Sequence, residues 1–312
     1  MRYIEGSRGF SPPGQTSITI GNFDGVHLAH RELVRRTVEH ARELGAPAVA
    51  LTFSPHPIRF FSPKARFYEI TTIGEKAARM EELGIDILVV ESFDGEIGGM
   101  APEDFARTIL RDRMRARVVT VGYDFTFGKD RAGSPEALTG FGRELGFTVD
   151  VVPPLVRGGA IVSSSRIREL ILAGRVREAE ELLCRPYKVS GPVIRGAARG
   201  RKLGFPTANV QFTQGLVPLP GIYVIDAEAG GTVYRGVANV GFSPTFGENS
   251  LGLEAYLFDF DGDLYGKGMT VWFRDRIRDE RKFQSVDELV RQIGKDVEFA
   301  REAKIPLWRA GR

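Results

Sequence analysis

The chain is poor in cysteine, with Cys184 alone among 312 residues. A single cysteine excludes an internal disulfide framework and indicates a reducing compartment. Long apolar runs are missing too: none approaches the ~20 residues that a membrane-spanning helix requires, and the first residues lack the apolar core of a secretion signal. We therefore expect a cytoplasmic protein that does not contact a membrane.

An excess of charge of one sign is also missing. The 43 basic and 40 acidic residues are interspersed and leave a net charge of +3. Without a basic cluster there is no electrostatic footprint for nucleic acid, so we expect small-molecule substrates and no nucleic-acid partner. The length is sufficient for two domains, and the sequence leaves oligomerisation open.

The first ~185 residues alternate between strand-like and helix-like segments, which is typical of a parallel α/β sheet. Strands are expected over residues 18–20, 47–53, 85–90, 118–121 and 147–152, and helices over 33–44, 75–83, 102–116, 135–145, 166–173 and 176–183. This pattern predicts a Rossmann-like, doubly wound sheet, whose ligands lie at the carboxyl ends of the strands.

From Arg185 onward, short β-rich segments separated by glycine-rich turns predict an antiparallel β-barrel. The segments are residues 187–193, 221–227, 232–240, 253–258 and 269–273. A terminal helix should begin at Ser285, with Glu288 completing a capping box. Its apolar stripe, predicted to pack on the barrel, is Val286, Leu289, Val290, Ile293, Val297 and Ala300. We expect domains at 1–184 and 185–312.

The most informative motif spans residues 18–30, where a β-branched run enters a glycine-containing turn before a helix. Gly21 and Gly25 allow a sharp turn, and the free amides of the helix N-terminus favour an anion. His27 and His30 share one helix face and can reach the same phosphate. The alternative is a pair of solvated or capping histidines; a zinc site is less favoured.

Three more motifs follow predicted strands in this half. His56 is held between two prolines, and the loop from Asp124 to Gly128 places aromatic residues among polar ones. That loop fits either a packed segment or an apolar slot for a flat ring. Serines 163–165 precede a helix that carries two arginines, which suggests a second anion site; a plain serine N-cap is the alternative.

Together these motifs resemble the adenylyltransferase half of prokaryotic bifunctional riboflavin kinase/FAD synthetases, and residues 21–30 resemble the G-x-F-D-x-x-H-x-x-H signature of nucleotidylyltransferases. Ala29 stands where the family usually has glycine, and Ser165 where it usually has threonine. The resemblance implies that His27, His30 and Arg168 are catalytic. It assigns ATP binding to Gly21, Asn22, Phe23, Asp24, His27, His30, Ser164 and Arg168, and flavin binding to His56, Asp124, Phe125 and Phe127.

In the second half, residues 200–209 read GRKLGFPTAN. This is not a Walker loop, because no G-K-[ST] precedes a helix, but its glycines and basic residues suggest a phosphate cradle. Thr207 and Asn209 lie two apart, so on an extended chain both face the same way and offer oxygen ligands to Mg²⁺. Standing alone, the pair would read as a polar strand edge.

Glu254 lies in an otherwise apolar strand, a costly position for a carboxylate unless it is paired or functional. With residues 236–245, these segments closely resemble the riboflavin kinase domain, from Arg185 to about Phe299. The resemblance implies that Glu254 is the general base and that Thr207 and Asn209 bind metal and ATP. It adds ATP contacts at Gly196, Gly204 and Pro206, and a flavin contact at Arg278.

The sequence therefore predicts a bifunctional enzyme that phosphorylates riboflavin to FMN and then adenylylates FMN to FAD with release of pyrophosphate. Mg²⁺ is the expected cofactor, and ATP, riboflavin and FMN are the expected small-molecule partners. Two alternatives are a nucleotidylyltransferase for another phosphate acceptor and a flavin-binding regulatory protein. Glu254 argues against the second, because a binding protein has no use for a base.

Overall fold

The computed structural model describes residues 1–196, 199–212, 215–242 and 251–309. The chain separates into two compact units, Met1–Ser164 and Ser165–Arg312. Each unit has its own sheet, so each is described by itself.

The first unit is built on six parallel strands in the order β1-β4-β3-β2-β5-β6. The strands are β1 (Arg2–Glu5), β2 (Thr16–Ile20), β3 (Ala48–Ser54), β4 (Ile87–Ser92), β5 (Ala116–Gly122) and β6 (Thr148–Val152), followed by a small antiparallel pair, β7 (Val156–Arg157) and β8 (Ala160–Ile161). The helices are α1 (Leu28–Leu44), α2 (Pro57–Phe61), α3 (Ile73–Glu82), α4 (Gly95–Gly99), α5 (Pro102–Asp104) and α6 (Pro135–Leu145). The predicted Rossmann-like sheet is confirmed.

Apolar side chains cover both faces of this sheet. Ile18 and Ile20 belong to one buried cluster, whereas Val34 and Met80 belong to a second. Every residue of β2 is buried, because a central parallel strand is covered on both sides. Helix α1 ends before Gly45, which adopts a left-handed φ of 60°, as its sequence predicts.

The helix predicted over 102–116 is only partly α-helical. After α5 the chain continues as a π-helix over Phe105–Arg113. The buried side chains of this segment are Phe105, Ala106, Ile109 and Leu110, a spacing that a regular α-helix would also give. Periodicity alone does not separate these two helical forms.

The second unit contains a closed barrel of antiparallel strands in the order β10-β13-β12-β11-β14-β9. Its elements are α7 (Ser164–Leu172), α8 (Val176–Leu183), β9 (Lys188–Ile194), α9 (Arg199–Lys202), β10 (Ala208–Val210), β11 (Gly221–Ala229), β12 (Thr232–Phe242), β13 (Leu251–Leu257), β14 (Gly268–Arg278) and α10 (Val286–Glu302). The predicted barrel and terminal helix are confirmed. The sixth strand, β10, has three residues and is too short to show a sequence pattern.

Alternate residues of the barrel strands form its interior. Val193, Val210, Leu253 and Val240 lie in register on four adjacent strands, and all are buried. The residues between them, among them Asn209 and Glu254, therefore occupy the opposite face.

The terminal helix begins where its sequence predicts. Ser285 is the N-cap and accepts a hydrogen bond from the Glu288 amide at 3.2 Å, while the Glu288 carboxylate accepts from the Gln284 amide. The prediction that the whole stripe packs on the barrel is wrong for Val286, which is 61% exposed. Packing is carried by later turns of α10, where Ala300 joins an apolar cluster of the barrel.

A buried carboxylate links the barrel to the segment after α10. Asp226 is fully buried and accepts hydrogen bonds from Arg235 Nε at 2.7 Å and Arg274 Nη1 at 3.0 Å. It also accepts one from the Trp308 amide at 2.8 Å, and Arg235 Nη2 donates to the Ile305 carbonyl. Two guanidinium groups and a backbone amide thus satisfy a charge that would be costly alone.

Candidate active sites

The loop after β2 adopts an unusual backbone. Gly25 has a φ of 87°, and the non-glycine residues Phe23 and Val26 have φ values of 47° and 41°. A bulky residue in this region carries strain of about 1–3 kcal/mol and persists only where the surroundings hold it. Phe23 is fully buried, and its ring packs against Gly21, where a Cβ would approach it to 3.2 Å.

Asp24 anchors this loop from within. Its side chain is 2% exposed, and its Oδ1 accepts hydrogen bonds from the amides of Ile70 at 2.8 Å and Thr71 at 3.2 Å. The Ser164 hydroxyl donates to the Asp24 carbonyl at 2.8 Å. The structure thus brings together Asp24 and Ser164, two predicted ATP-binding residues, and shows the Asp24 carboxylate fixing the loop.

His27 and His30 lie against each other at the start of α1. Their ring centroids are 3.6 Å apart with an interplanar angle of 18°, and the Phe23 ring contacts His30 edge-on. His27 is the N-cap residue and only 3% exposed. The first turn of α1 carries no acidic residue, so the dipole of its N-terminus favours an external anion. The paired histidines and the helix terminus can therefore act on one phosphate group.

Arg168, predicted to bind ATP, lies on α7, where its Nη1 is 3.5 Å from Ser165 Oγ.

His56, the histidine between two prolines that is predicted to contact flavin, is the N-cap of α2. Its Nδ1 accepts a hydrogen bond from the Ile58 amide at 3.2 Å. Its ring packs against Phe67, with centroids 4.4 Å apart.

The aromatic loop after β5 divides into a buried and an accessible part. Phe125 and Phe127 stack with centroids 5.3 Å apart, and Phe127 is 7% exposed within the apolar core of the unit. A Cβ at Gly133 would lie 2.6 Å from the Phe127 ring, so the glycine permits this packing. Asp124 is exposed. Phe127 therefore fits the packed-segment alternative, and Asp124 is the accessible member.

Sequence reasoning missed Lys76, on α3. Its side chain is 4% exposed, and its Nζ donates to the Asn22 carbonyl at 2.6 Å and to Thr52 Oγ1 at 3.2 Å. Burial lowers the pKa of Lys76, whereas the nearby charges of Asp24 and Glu69 act in the opposite direction. A lysine in an amphipathic helix is expected on the solvated face, so the sequence gives no signal for it.

In the barrel, strand register assembles the second site. Glu254 of β13 pairs with Asn209 of β10 on one side and with Asn239 of β12 on the other. Directly paired residues share a face, so the carboxylate lies between two amide side chains. Its neighbours in sequence, Leu253 and Ala255, are buried in the barrel interior. Asn239 lies within a motif noted in the sequence, but its place beside Glu254 follows only from the register.

Two glycines allow the backbone to approach these side chains closely. A Cβ on Gly196 would lie 2.5 Å from Asn209 Nδ2, and one on Gly200 would lie 2.3 Å from the Phe205 carbonyl and 3.1 Å from Thr207 Oγ1. The backbone of the glycines predicted to bind phosphate therefore lies directly beside the side chains of the predicted metal ligands, Thr207 and Asn209.

The side-chain oxygen atoms of Asn209, Glu254 and Asn239, which are paired across three adjacent strands, suit a hard cation. Within the described residues, the buried Oδ1 atoms of Asn209 and Asn239 accept no hydrogen bond. Amide oxygens beside a carboxylate, with the Thr207 hydroxyl two residues from Asn209, are the donor types that Mg²⁺ takes in small numbers. No group of three or more His, Cys, Asp or Glu side chains in the described part of the chain could hold a metal. The residues present therefore fit Mg²⁺ shared with substrate phosphates.

Arg278 lies at the end of β14 and is engaged by α10. Its Nη2 and Nε donate to the Asp296 carboxylate at 2.7 and 3.0 Å, and its Nη1 donates to the Asp279 carbonyl at 2.9 Å. The guanidinium therefore ties the last strand to the terminal helix. Ser243, Pro244 and Thr245, which close the noted motif, lie outside the described residues.

Comparison with known proteins assigns both units. Residues 11–166 match the FAD synthetase family model, and residues 183–304 match the riboflavin kinase family model. A bifunctional riboflavin kinase/FMN adenylyltransferase of Pseudomonas fluorescens is 36% identical over 308 residues, covering 98% of this chain and 99% of the relative. The Bacillus subtilis protein of the same name is 36% identical, covering 91% of this chain and 90% of that one.

A solved structure described as a macrolide-efflux protein from Streptococcus pneumoniae superposes with a TM-score of 0.89. It is 34% identical and covers 97% of this chain and 99% of its own. The word efflux belongs to the description of the streptococcal protein and is not applied to this chain. In the described part of this chain, no helix is both long and apolar enough to cross a membrane.

An FAD synthetase unit followed by a riboflavin kinase unit defines an enzyme of flavin cofactor synthesis. The chain belongs to the family of bifunctional riboflavin kinase/FMN adenylyltransferases. It phosphorylates riboflavin to FMN and adenylylates FMN to FAD, using ATP in both reactions, which confirms the activity predicted from the sequence.

Proposed function

We propose that FMN is adenylylated at the loop of residues 21–30 and that riboflavin is phosphorylated at Glu254. The observation that carries the second assignment is the register that places Glu254 between Asn209 and Asn239. The first is supported by the stacking of His27 and His30 at a helix N-terminus.

In the adenylyl transfer, a phosphate oxygen of FMN attacks the α-phosphorus of ATP. The bond from that phosphorus to the bridging oxygen breaks, and pyrophosphate leaves with the charge. His27, His30, Ser164 and Arg168 stabilise this developing charge by hydrogen bonding. The FMN phosphate is already a nucleophile, so no covalent intermediate with the protein is required.

In the phosphoryl transfer, Glu254 accepts the proton of the ribityl 5′-hydroxyl as that oxygen attacks the γ-phosphorus. The bond from the γ-phosphorus to its bridging oxygen breaks, and ADP leaves. The strand register fixes Glu254 between the amide side chains of Asn209 and Asn239, which holds the carboxylate at a defined position in the proposed site.

Thr207 and Asn209 would hold Mg²⁺, with Asn239 as an additional oxygen donor nearby. When bound, the ion offsets negative charge on the nucleotide phosphates. The buried Oδ1 of Asn209, which accepts no hydrogen bond from the residues that the structure describes, supports this assignment.

The remaining contacts complete the two substrate sites. ATP would meet the backbone or side chains of Gly21, Asn22, Phe23, Asp24, Gly196, Gly204 and Pro206. Flavin would meet His56, Asp124, Phe125 and Arg278. Phe127, packed in the apolar core of the unit, would support the loop rather than contact the flavin. The proposed domains remain 1–184 and 185–312, and the single cysteine supports a cytoplasmic location.

The test is to separate the two activities by mutation. Chromatography of flavins formed from riboflavin, ATP and Mg²⁺ should show that a Glu254 variant accumulates riboflavin, whereas a His27 variant accumulates FMN. A variant that loses both activities equally at normal stability would contradict the assignment of that residue.

A further inference from the structure

The ammonium group of Lys76 contacts the loop of residues 21–30, and the mechanism proposed above gives this lysine no role. Its ammonium donates to the Asn22 carbonyl at 2.6 Å, and Thr52 Oγ1 donates to the same carbonyl at 3.2 Å. Lys76 Nζ and Thr52 Oγ1 are themselves 3.2 Å apart. The carbonyl is thus held from both α3 and β3.

This carbonyl immediately precedes Phe23, one of the two non-glycine residues of the loop with a positive φ. Asn22 C=O and Phe23 N–H belong to one planar peptide unit, so fixing the oxygen fixes the direction of the amide. Phe23 follows with a φ of 47°, a conformation that needs support from its surroundings. Four residues later, His27 begins α1.

Burying a lysine to support a loop carries a large desolvation penalty. An ammonium group with 4% exposure loses most of its hydration, and an apolar residue of similar length would avoid that cost. What the ammonium supplies that an apolar residue cannot is its hydrogen bond to the Asn22 carbonyl.

We propose that Lys76 is a positioning residue of the adenylyl-transfer site, which holds the Asn22–Phe23 peptide in the geometry that presents the loop and the paired histidines to ATP. The proposal rests on the proposed function of residues 21–30.

The first experiment compares Lys76→Met with Lys64→Met, the same substitution at an exposed lysine of the same unit. In the full-length enzyme, Lys76→Met should lower kcat/KM for ATP in FAD formation by roughly 10- to 100-fold, and Lys64→Met should leave it unchanged. Riboflavin phosphorylation should stay within about twofold in both variants, which provides an internal control.

Thermal unfolding distinguishes positioning from support of the fold. Because methionine removes a desolvated charge, we expect the Tm of Lys76→Met to equal or exceed that of the wild type. A loss of FAD formation that accompanies a large fall in Tm would overturn the proposal, and so would unchanged kinetics.

A second variant tests the route through the Asn22 carbonyl. Thr52→Val removes the other donor at nearly constant volume and should reduce the same kcat/KM by a smaller factor. The double variant should lose less than the product of the two single losses, because both act on one acceptor. Independent, multiplicative effects would contradict a shared route.

The pH profile gives a third readout. Burial lowers the pKa of Lys76 from its ordinary value, and the acidic groups facing it are Asp24 and Glu69. The rate of FAD formation should therefore fall at alkaline pH as Lys76 loses its proton, and the pH profile of Lys76→Met should lack this alkaline decrease. If His27→Ala impairs FAD formation while Lys76→Met does not, the loop assignment stands and the role of Lys76 fails; if neither does, the proposed site itself fails.

Discussion

The two proposed sites are assembled in different ways. Most of the ATP contacts proposed for the first site come from Gly21 to His30, one segment that runs from the end of β2 into α1. Lys76 of α3 and Thr52 of β3 fix the shape of this segment through the Asn22 carbonyl. In the barrel, Asn209, Asn239 and Glu254 come from three strands and meet only through register. The members of a contiguous segment are seen to be neighbours in the sequence itself, whereas the neighbours of Glu254 in the barrel, Asn239 among them, follow only from the strand pairing.

The largest expected effect comes from separating the two units. A truncated chain that begins at Arg185 should form FMN from riboflavin and no FAD, because residues 21–30 are removed. Activity is measured by chromatography of the flavins. A folded product without kinase activity would contradict the independence of the barrel site.

A second truncated chain sharpens this test. Starting at Ser165 retains α8, whose Glu180 lies 3.2 Å from Arg274 of β14. We expect the longer chain to unfold at a higher temperature than the shorter one, with similar kinase activity. Equal unfolding temperatures would show that α8 adds nothing to the barrel.

Replacing the proposed base should give the next largest effect. Glu254→Gln keeps the size of the side chain but removes the proton acceptor, so FMN formation should fall by ~10²–10⁴-fold. FAD formation from supplied FMN should be nearly unchanged. Glu302→Gln, at an exposed position of α10, is the matched control. A parallel loss of both activities would assign Glu254 a structural role.

The histidine pair should show the converse pattern. His27→Ala or His30→Ala should each raise the barrier to FAD formation by about 2–4 kcal/mol, roughly 30- to 1,000-fold in rate. Steady-state assays with FMN as substrate measure this, and riboflavin phosphorylation should persist. His40→Ala, on the same helix but bonded to Asp150, controls for loss of a histidine. Wild-type FAD synthesis by the double variant would refute the site.

The smallest effect is expected at Asn239, the member of the barrel site that strand pairing adds. Asn239→Ala removes the amide beside Glu254 and should lower kcat of riboflavin phosphorylation about tenfold while FAD formation from FMN is retained. If kcat stays at the wild-type value, Asn239 lies beside Glu254 but does not contribute to the phosphorylation of riboflavin.

The sequence predicts the parallel sheet, the barrel and the start of α10, because these depend on periodicity and on local caps such as Ser285. It does not predict β10, which is too short to show alternation, or the π-helix, because buried residues can recur at either spacing. It predicts the histidine pair from local spacing, whereas the Thr207–Asn209 pair, which alone would read as a polar strand edge, is predicted from the family resemblance. It cannot identify Lys76, because the burial of a helical lysine depends on what packs over it, or the partners of Arg278, because α10 supplies them.

The anchoring of Asp226 bears on the order in which the protein forms during synthesis. The Trp308 amide that satisfies this carboxylate is 82 residues further along the chain. Every strand of the first sheet has been synthesised by Val152, so that unit can fold on the ribosome while the barrel is still being made. Until Trp308 has been added, Asp226 lacks one of its donors. The nascent chain therefore completes its FAD-forming unit first, although the reaction of the barrel comes first in the conversion of riboflavin to FAD.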